Sequence, residues 1–179
     1  GLAKGCDVIA HEECMRLGGK TIAILPSPIN EVLPKEHTKQ AKQIVETGGL
    51  LISEYYTSSS NPRFEMTKRY IERDRLQAMF AKVVILIASY AVKKGDSGAR
   101  HAMNKALKYK HQTCVMYDKK NDSLVDEMEL NKQFVEAGSV KVLAKAARKN
   151  PAFITIDEIA KYKISTLERV TSTKQDNLF

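Results

Sequence analysis

No apolar run in the 179 residues approaches the ~20 needed to cross a bilayer. No signal peptide is visible at the start. Cysteine is sparse: Cys6, Cys14 and Cys114 make an odd count of three, with no CxxC pair. That argues against a disulfide framework and favours a reduced, cytoplasmic setting. His11 and Cys14 are spaced for one helix face, but no second ligand pair accompanies them, so no four-ligand zinc site is expected. Ser53, Ser89 and Ser97 all lie outside any GxSxG motif, which disfavours acyl transfer. The stretch "GDSGAR" lacks the Lys-Ser/Thr that would complete a Walker A loop. There is no internal repeat and no low-complexity block. There is also no initiator Met. "GLAKGCDVIAH" reads as a glycine loop running into a helix without the strand that normally precedes one, so either an earlier segment is missing at Gly1, by truncation or processing, or the chain is an unusual minimal version.

Hydrophobic residues make up 43% of the chain and charged residues 28%, which fits one globular domain with a substantial core. Lys and Arg outnumber Asp and Glu by 29 to 21, and the formal net charge is +8. Such a balance favours an anionic partner, with nucleic acid or a nucleotide ahead of an acidic membrane surface. A solvated basic surface is the plain alternative.

Short apolar runs alternate with helical stretches. A helix over Val8–Leu17, capped by Asp7, ends at Gly18-Gly19. "TIAILP" (21–26) reads as a buried parallel strand. A helix from Pro34 to Thr47, with Ala41, Ile44 and Val45 inward, stops at Gly48-Gly49. Leu50–Tyr56 is the next strand. Phe64–Phe80 is a long basic helix, and Lys82–Ser89 is read as the central strand. A helix over Ala99–Lys110 and a strand over Gln112–Asp118 follow. This order predicts βαβ units, a mainly parallel sheet and a Rossmann-like three-layer α/β fold. Residues 1–120 are assigned to that core, and 121–179 to a mostly helical extension of the same domain. Within the extension a helix spans Ser123–Ala137. "TIDE" (155–158) has capping-box spacing before a last helix near Ile156–Val170.

Ligands of parallel α/β sheets sit beyond the carboxyl ends of the strands. Three loops qualify. In "KKGDSGARH", Gly95 and Gly98 allow close backbone approach, and the free amides of the following helix carry the positive dipole end. Ser97 and Asp96 can cap there, and Arg100, His101, Lys105, Lys108 and Lys110 add basic side chains. An ordinary glycine turn with a Ser or Asp cap explains the same residues. The helix after "SEYYTSSSNPRF" holds Lys68, Arg69, Arg73 and Arg75, interleaved with Glu72 and Asp74. That pattern also suits an exposed helix laced with ion pairs. Tyr55 and Tyr56 offer a base-stacking surface or simple packing. Glu54 at a strand end invites an acid–base role, though a single carboxylate there is more often structural. The third loop is "GLAKGCD" itself.

Taken in order, "GLAKGCDVIAH", "GGKTIAIL", "IVETGGLLISEY", "RFEMTKRYIERDRLQAMFAKVVILIAS" and "GDSGARHAMNKA" resemble the DNA-processing protein A family, also called DprA or Smf. "NKQFVEAGSV" resembles that family's later "N.LI..GA" stretch. The resemblance implies an extended Rossmann domain that binds single-stranded DNA and loads a RecA-type recombinase. It implies a homo-oligomer and a recombination mediator, not an enzyme, with no cofactor. Lys4 falls on the family's first-loop Arg, Arg73 and Arg75 on its RNR, Phe64 on the preceding Phe, and Ser97-Gly98 on its SG. The chain departs from the pattern at Lys4, which lacks the planar fork of Arg, at Asp74 in place of Asn, and at Ala88-Ser89 in place of Glu-Ala. Two alternatives share the superfold. One is nucleotide-signal binding in a bacterial or phage conflict system. The other is a nucleotide phosphoribohydrolase, disfavoured because no PGGxGTxxE is present.

Overall fold

The computed structural model describes residues 1–95, 98–145 and 150–161. The chain divides into two compact units, Gly1–Gln77 and Ala78–Phe179.

In the first unit, α1 (Cys6–Arg16) leads to β1 (Ile22–Leu25). A 3-10 turn at Lys35–His37 runs into α2 (Thr38–Glu46), and β2 (Leu50–Ser53) and α3 (Pro62–Phe80) follow. β1 and β2 pair in parallel, from Ile22 opposite Leu50 to Leu25 opposite Ser53. The β-branched, apolar run of β1 is what a strand buried on both faces requires. Ala23, Ile24 and Leu25 are accordingly buried. The core joins Leu2, Ala23, Leu25, Ala41 and Ile44. Leu2 therefore anchors the opening glycine loop to the sheet.

Two local expectations are corrected here. The first helix starts before Asp7. Gly5 takes the N-cap position at φ 93°, and Asp7 lies in the first turn, where its carboxylate accepts from the Ala3 amide at 3.3 Å. Val45 is not inward but 53% exposed, because it sits 100° round the helix from Ile44. The stop of α2 is as expected. Gly48 adopts φ 81°, and the Gly49 amide donates to the Ile44 carbonyl at 2.7 Å. A Cβ at Gly49 would stand 2.7 Å from that same oxygen, so only glycine allows the chain to turn so tightly into β2.

In the second unit, β3 (Val83–Leu86), α4 (Ala99–Lys108) and β4 (Gln112–Val115) form a βαβ unit. A short helix α5 (Lys119–Asp122), a 3-10 turn (Asp126–Met128), α6 (Glu129–Glu136), β5 (Lys141–Ala144) and β6 (Phe153–Thr155) complete it. The strands run in the order β3-β4-β5-β6, every pairing parallel. Leu86, Met103, Val115, Leu130, Phe134 and Val142 make the core. Both units are thus parallel α/β layers.

The expectation that Lys82–Ser89 is the central strand is corrected: β3 stands first in its four-stranded order. An apolar run marks a strand but not its lateral position, and of β3 only Leu86 is fully buried. The stretch 123–137 is also not one helix. Asp118 caps α5 by accepting from the Lys120 amide at 3.1 Å. Val125 is then extended before the chain re-enters helix. The segment after residue 121 adds β5 and β6 to the sheet as well as helices. The capping box at "TIDE" forms reciprocally. The Thr155 amide and hydroxyl both reach Glu158 Oε2, at 2.7 and 3.0 Å, and the Glu158 amide donates to Thr155 Oγ1 at 3.3 Å. The rest of that last helix and the tail lie outside the described residues. Among the described residues, no helix is long and apolar enough to cross a membrane.

Candidate nucleic-acid interface

The opening loop is shaped from below by buried side chains. His11 is 7% exposed, with Nε2 2.8 Å from the Gly1 carbonyl and Nδ1 2.6 Å from Thr21 Oγ1. A carbonyl only accepts, so Nε2 carries the proton and Nδ1 accepts from the threonine hydroxyl. His37, also buried, places Nδ1 2.7 Å from the Leu2 carbonyl and donates to it by the same logic. Two histidines from two helical segments therefore hold consecutive carbonyls of the loop. Lys4, on the same loop, is exposed.

Burial depresses the His11 pKa below its ordinary 6.5, and the Gly1 carbonyl bond only partly offsets this. The unfolded chain then takes up a proton at a higher pH than the folded one does. Stability is complete above pH about 6.5 and declines as pH falls through the lower folded value. The urea midpoint of the first unit is expected to drop between about pH 7.5 and pH 5.5. In a His11→Gln variant that drop flattens, and an equal drop in the variant would show that another group titrates.

Arg73, one of the candidate arginines, is inside the protein at 8% exposure. Its Nη1 donates to the Ile24 carbonyl at 3.4 Å, near the carboxyl end of β1. Its Nε donates to the equally buried Asp74 at 3.1 Å. The guanidinium carbon lies 5.6 Å from the Tyr70 ring, and Nη1 lies so close to Gly1 that no side chain fits there. Arg75 is half-exposed, and its Nη2 donates to both oxygens of Glu54 at 2.8 Å. That bond gives Glu54 a partner on α3. Arg69 stacks 4.3 Å over the Tyr55 ring and donates to the Thr57 carbonyl at 3.0 Å. Tyr55 donates to Glu72 at 2.7 Å, and burial together with that bond pushes its pKa up to about 12. Tyr55 is thus engaged in packing. Tyr56 and Phe64, at 98% and 82% exposure, are the most exposed aromatics described in this unit, ahead of Tyr70 at 38%.

In the second unit, Gly95 and Gly98 both adopt left-handed backbone, at φ 103° and 84°. Gly98 is the N-cap of α4. Lys93 and Lys94 are exposed just before this turn. Arg100, half-buried, stands in the first helical turn. Ser97, the remaining candidate, lies outside the described residues. Lys4, Phe64, Arg73 and Arg75 therefore belong to the first unit, and Gly95, Gly98 and Arg100 to the second. Cys114 is fully buried, and burial pushes its thiol up to about 11, away from nucleophilic use.

Parallel βα units with glycine turns at the strand exits define a Rossmann-like α/β protein. The family model described as DNA recombination-mediator protein A matches residues 1–157, so the chain belongs to that family. It is 38% identical over 55 residues to Protein Smf of Escherichia coli (strain K12), spanning 31% of this chain and 15% of that protein. It is 32% identical over 87 residues to Protein Smf of Synechocystis sp., spanning 49% and 21%. It is 33% identical over 69 residues to DNA processing protein DprA of Streptococcus pneumoniae, spanning 38% and 24%. The solved DNA processing protein A (DprA) from Streptococcus pneumoniae shares the fold at TM-score 0.62 and 22% identity. That match covers 79% of this chain and 46% of that one. The matches therefore span less than a quarter of each of these curated relatives.

Proposed function

We propose that this protein binds single-stranded DNA as a recombination mediator and performs no catalysis of its own. Family membership supports the reading, and so does the net charge of +8. The observation that carries it is the start of α4. There the helix begins at a left-handed glycine with Arg100 in its first turn. Backbone amides at a helix start, with the positive end of the dipole, suit a phosphate, and glycine lets it approach. In this reading Arg100 and the amides around Gly95, Ser97 and Gly98 take backbone phosphates. Lys4, Arg75 and the exposed Phe64 contribute charge and stacking, and Arg73 shapes the first loop from inside. A homo-oligomer and a RecA-type recombinase complete it, as the resemblance implies.

The test titrates a labelled oligothymidylate between about 50 and 200 mM salt, where each phosphate contact adds ~0.7 to the logarithmic salt slope for a single strand. Arg100→Ala removes one charge-assisted contact of ~1.5–3 kcal/mol, or roughly 10- to 150-fold in affinity. Melting temperature is measured alongside. Unchanged affinity in a folded Arg100→Ala variant would move the site off this loop. Salt-independent binding of mononucleotides in preference to the oligonucleotide would replace the reading with nucleotide-signal binding.

A further inference from the structure

The stretch beginning at Asn131 has no place in the phosphate site, yet it holds the most enclosed polar side chain among the described residues of the second unit. Asn131 is 0% exposed. Its Nδ2 donates to the carbonyls of Leu86 at 3.3 Å, Ile87 at 2.9 Å and Met116 at 2.7 Å. These carbonyls lie where β3 and β4 end, side by side in the parallel register. Its Oδ1 is buried without a partner among the described residues.

Two more contacts come from the same segment. The Leu130 amide, at the start of α6, donates to the Ser89 carbonyl at 3.1 Å. The Tyr90 hydroxyl donates to Glu127 at 2.6 Å. Residues 127–131 thus grip the chain at Leu86, Ile87, Ser89 and Tyr90 as it leaves β3 towards Gly95 and Gly98.

We infer that Asn131 is a positioning residue for nucleic-acid binding, fixing the exit of β3 so that the Gly95 turn and the α4 start meet the phosphates. The inference rests on the reading of that loop as the phosphate site. The chemistry singles out asparagine. Aspartate has no donor for three carbonyls, and serine has one hydrogen where the amide has two. Glutamine would carry its NH2 about 1.5 Å further out. A residue retained for packing alone would not leave a buried acceptor orphaned.

The experiment uses the full chain and the same oligothymidylate titration. Wild type, Asn131→Ser and Tyr90→Phe are compared at a temperature where circular dichroism shows each folded. Amide hydrogen exchange is followed in parallel. Asn131→Ser is expected to bind about 10-fold more weakly and Tyr90→Phe about 3-fold. Exchange should quicken at residues 87–95 and stay unchanged in β4. A residue with only a structural role would lower the melting temperature and leave the affinity of the folded fraction and its salt slope as in wild type. Unchanged affinity in both variants overturns the inference while salt-dependent wild-type binding leaves the parent reading standing. If wild type does not bind the oligonucleotide, the parent reading falls and the inference with it. If Asn131→Ser does not fold, Tyr90→Phe decides, because its hydroxyl bonds an exposed partner and its loss leaves the core intact.

Discussion

Arg73→Ala should destabilise the first unit by about 3–5 kcal/mol, the usual cost of removing one partner of a buried ion pair. Three losses combine. Asp74, 6% exposed, loses the guanidinium 3.1 Å away. The Ile24 carbonyl loses a donor. A cavity opens against Gly1, where the arginine now fills all the space a side chain would need. Hydrogen exchange separates the units. The amides of β1 and α2 should exchange faster in Arg73→Ala, while those of β3 and β4 keep their wild-type rates. Arg73→Lys should recover little, because a lysine ammonium lacks the planar fork that reaches Asp74 and Ile24 together. A fully stable Arg73→Ala variant with weakened oligonucleotide binding would contradict this internal role and make Arg73 a ligand residue.

Met103→Ala should cost the second unit about 2–5 kcal/mol, the range for emptying a buried Leu, Ile or Met site. Met103 is 1% exposed and packs with Leu86, Val115, Leu130, Phe134 and Val142. It is the fully buried member of α4 in that core, with Ala99 and Leu107 packed against it from the same helix. Its loss loosens the helix that begins at Gly98, so oligonucleotide affinity should fall as well. The urea midpoint and the exchange rates of β4 report the effect, and a loss below about 1 kcal/mol would mean that the core collapses onto the gap. Met103→Leu keeps most of the volume and should cost less than about 1.5 kcal/mol.

Much of the chain's path is legible in its residues. Apolar runs rich in β-branched residues give β1 to β4 within a few positions, with glycine and proline bounding β1 and glycine opening β2. Gly18, Gly48 and Gly98 mark helix ends and starts because left-handed backbone favours glycine. "TIDE" closes its capping box because both partners lie within three residues. The glycine turn before α4 was readable for the same reason, since the positive φ of Gly95 and Gly98 is a local property.

The fates of the charged residues were not legible. Arg73 and Arg75 look alike in "ERDRL", yet one is buried on the Ile24 carbonyl and the other pairs with Glu54 across 21 positions. Nothing in the run "EYY" separates Tyr55, stacked under Arg69, from Tyr56, almost fully exposed. Asn131 had only the "NKQFVEAGSV" resemblance to draw attention to it, and its three carbonyl partners lie 15 to 45 residues away.

By itself the sequence determined the parallel α/β class, the helix stops, the basic charge and the family pattern. Each depends on composition or on residues a few positions apart. Only the tertiary structure decided the place of β3 in its sheet, the division at Gln77, the two histidines under the first loop and the asparagine between two strand ends. Those depend on contacts between residues far apart in the chain, which composition and local spacing do not carry. Side chains from far along the chain, such as His11, His37 and Asn131, then donate to buried carbonyls, because a buried polar group is stable only when it is hydrogen-bonded.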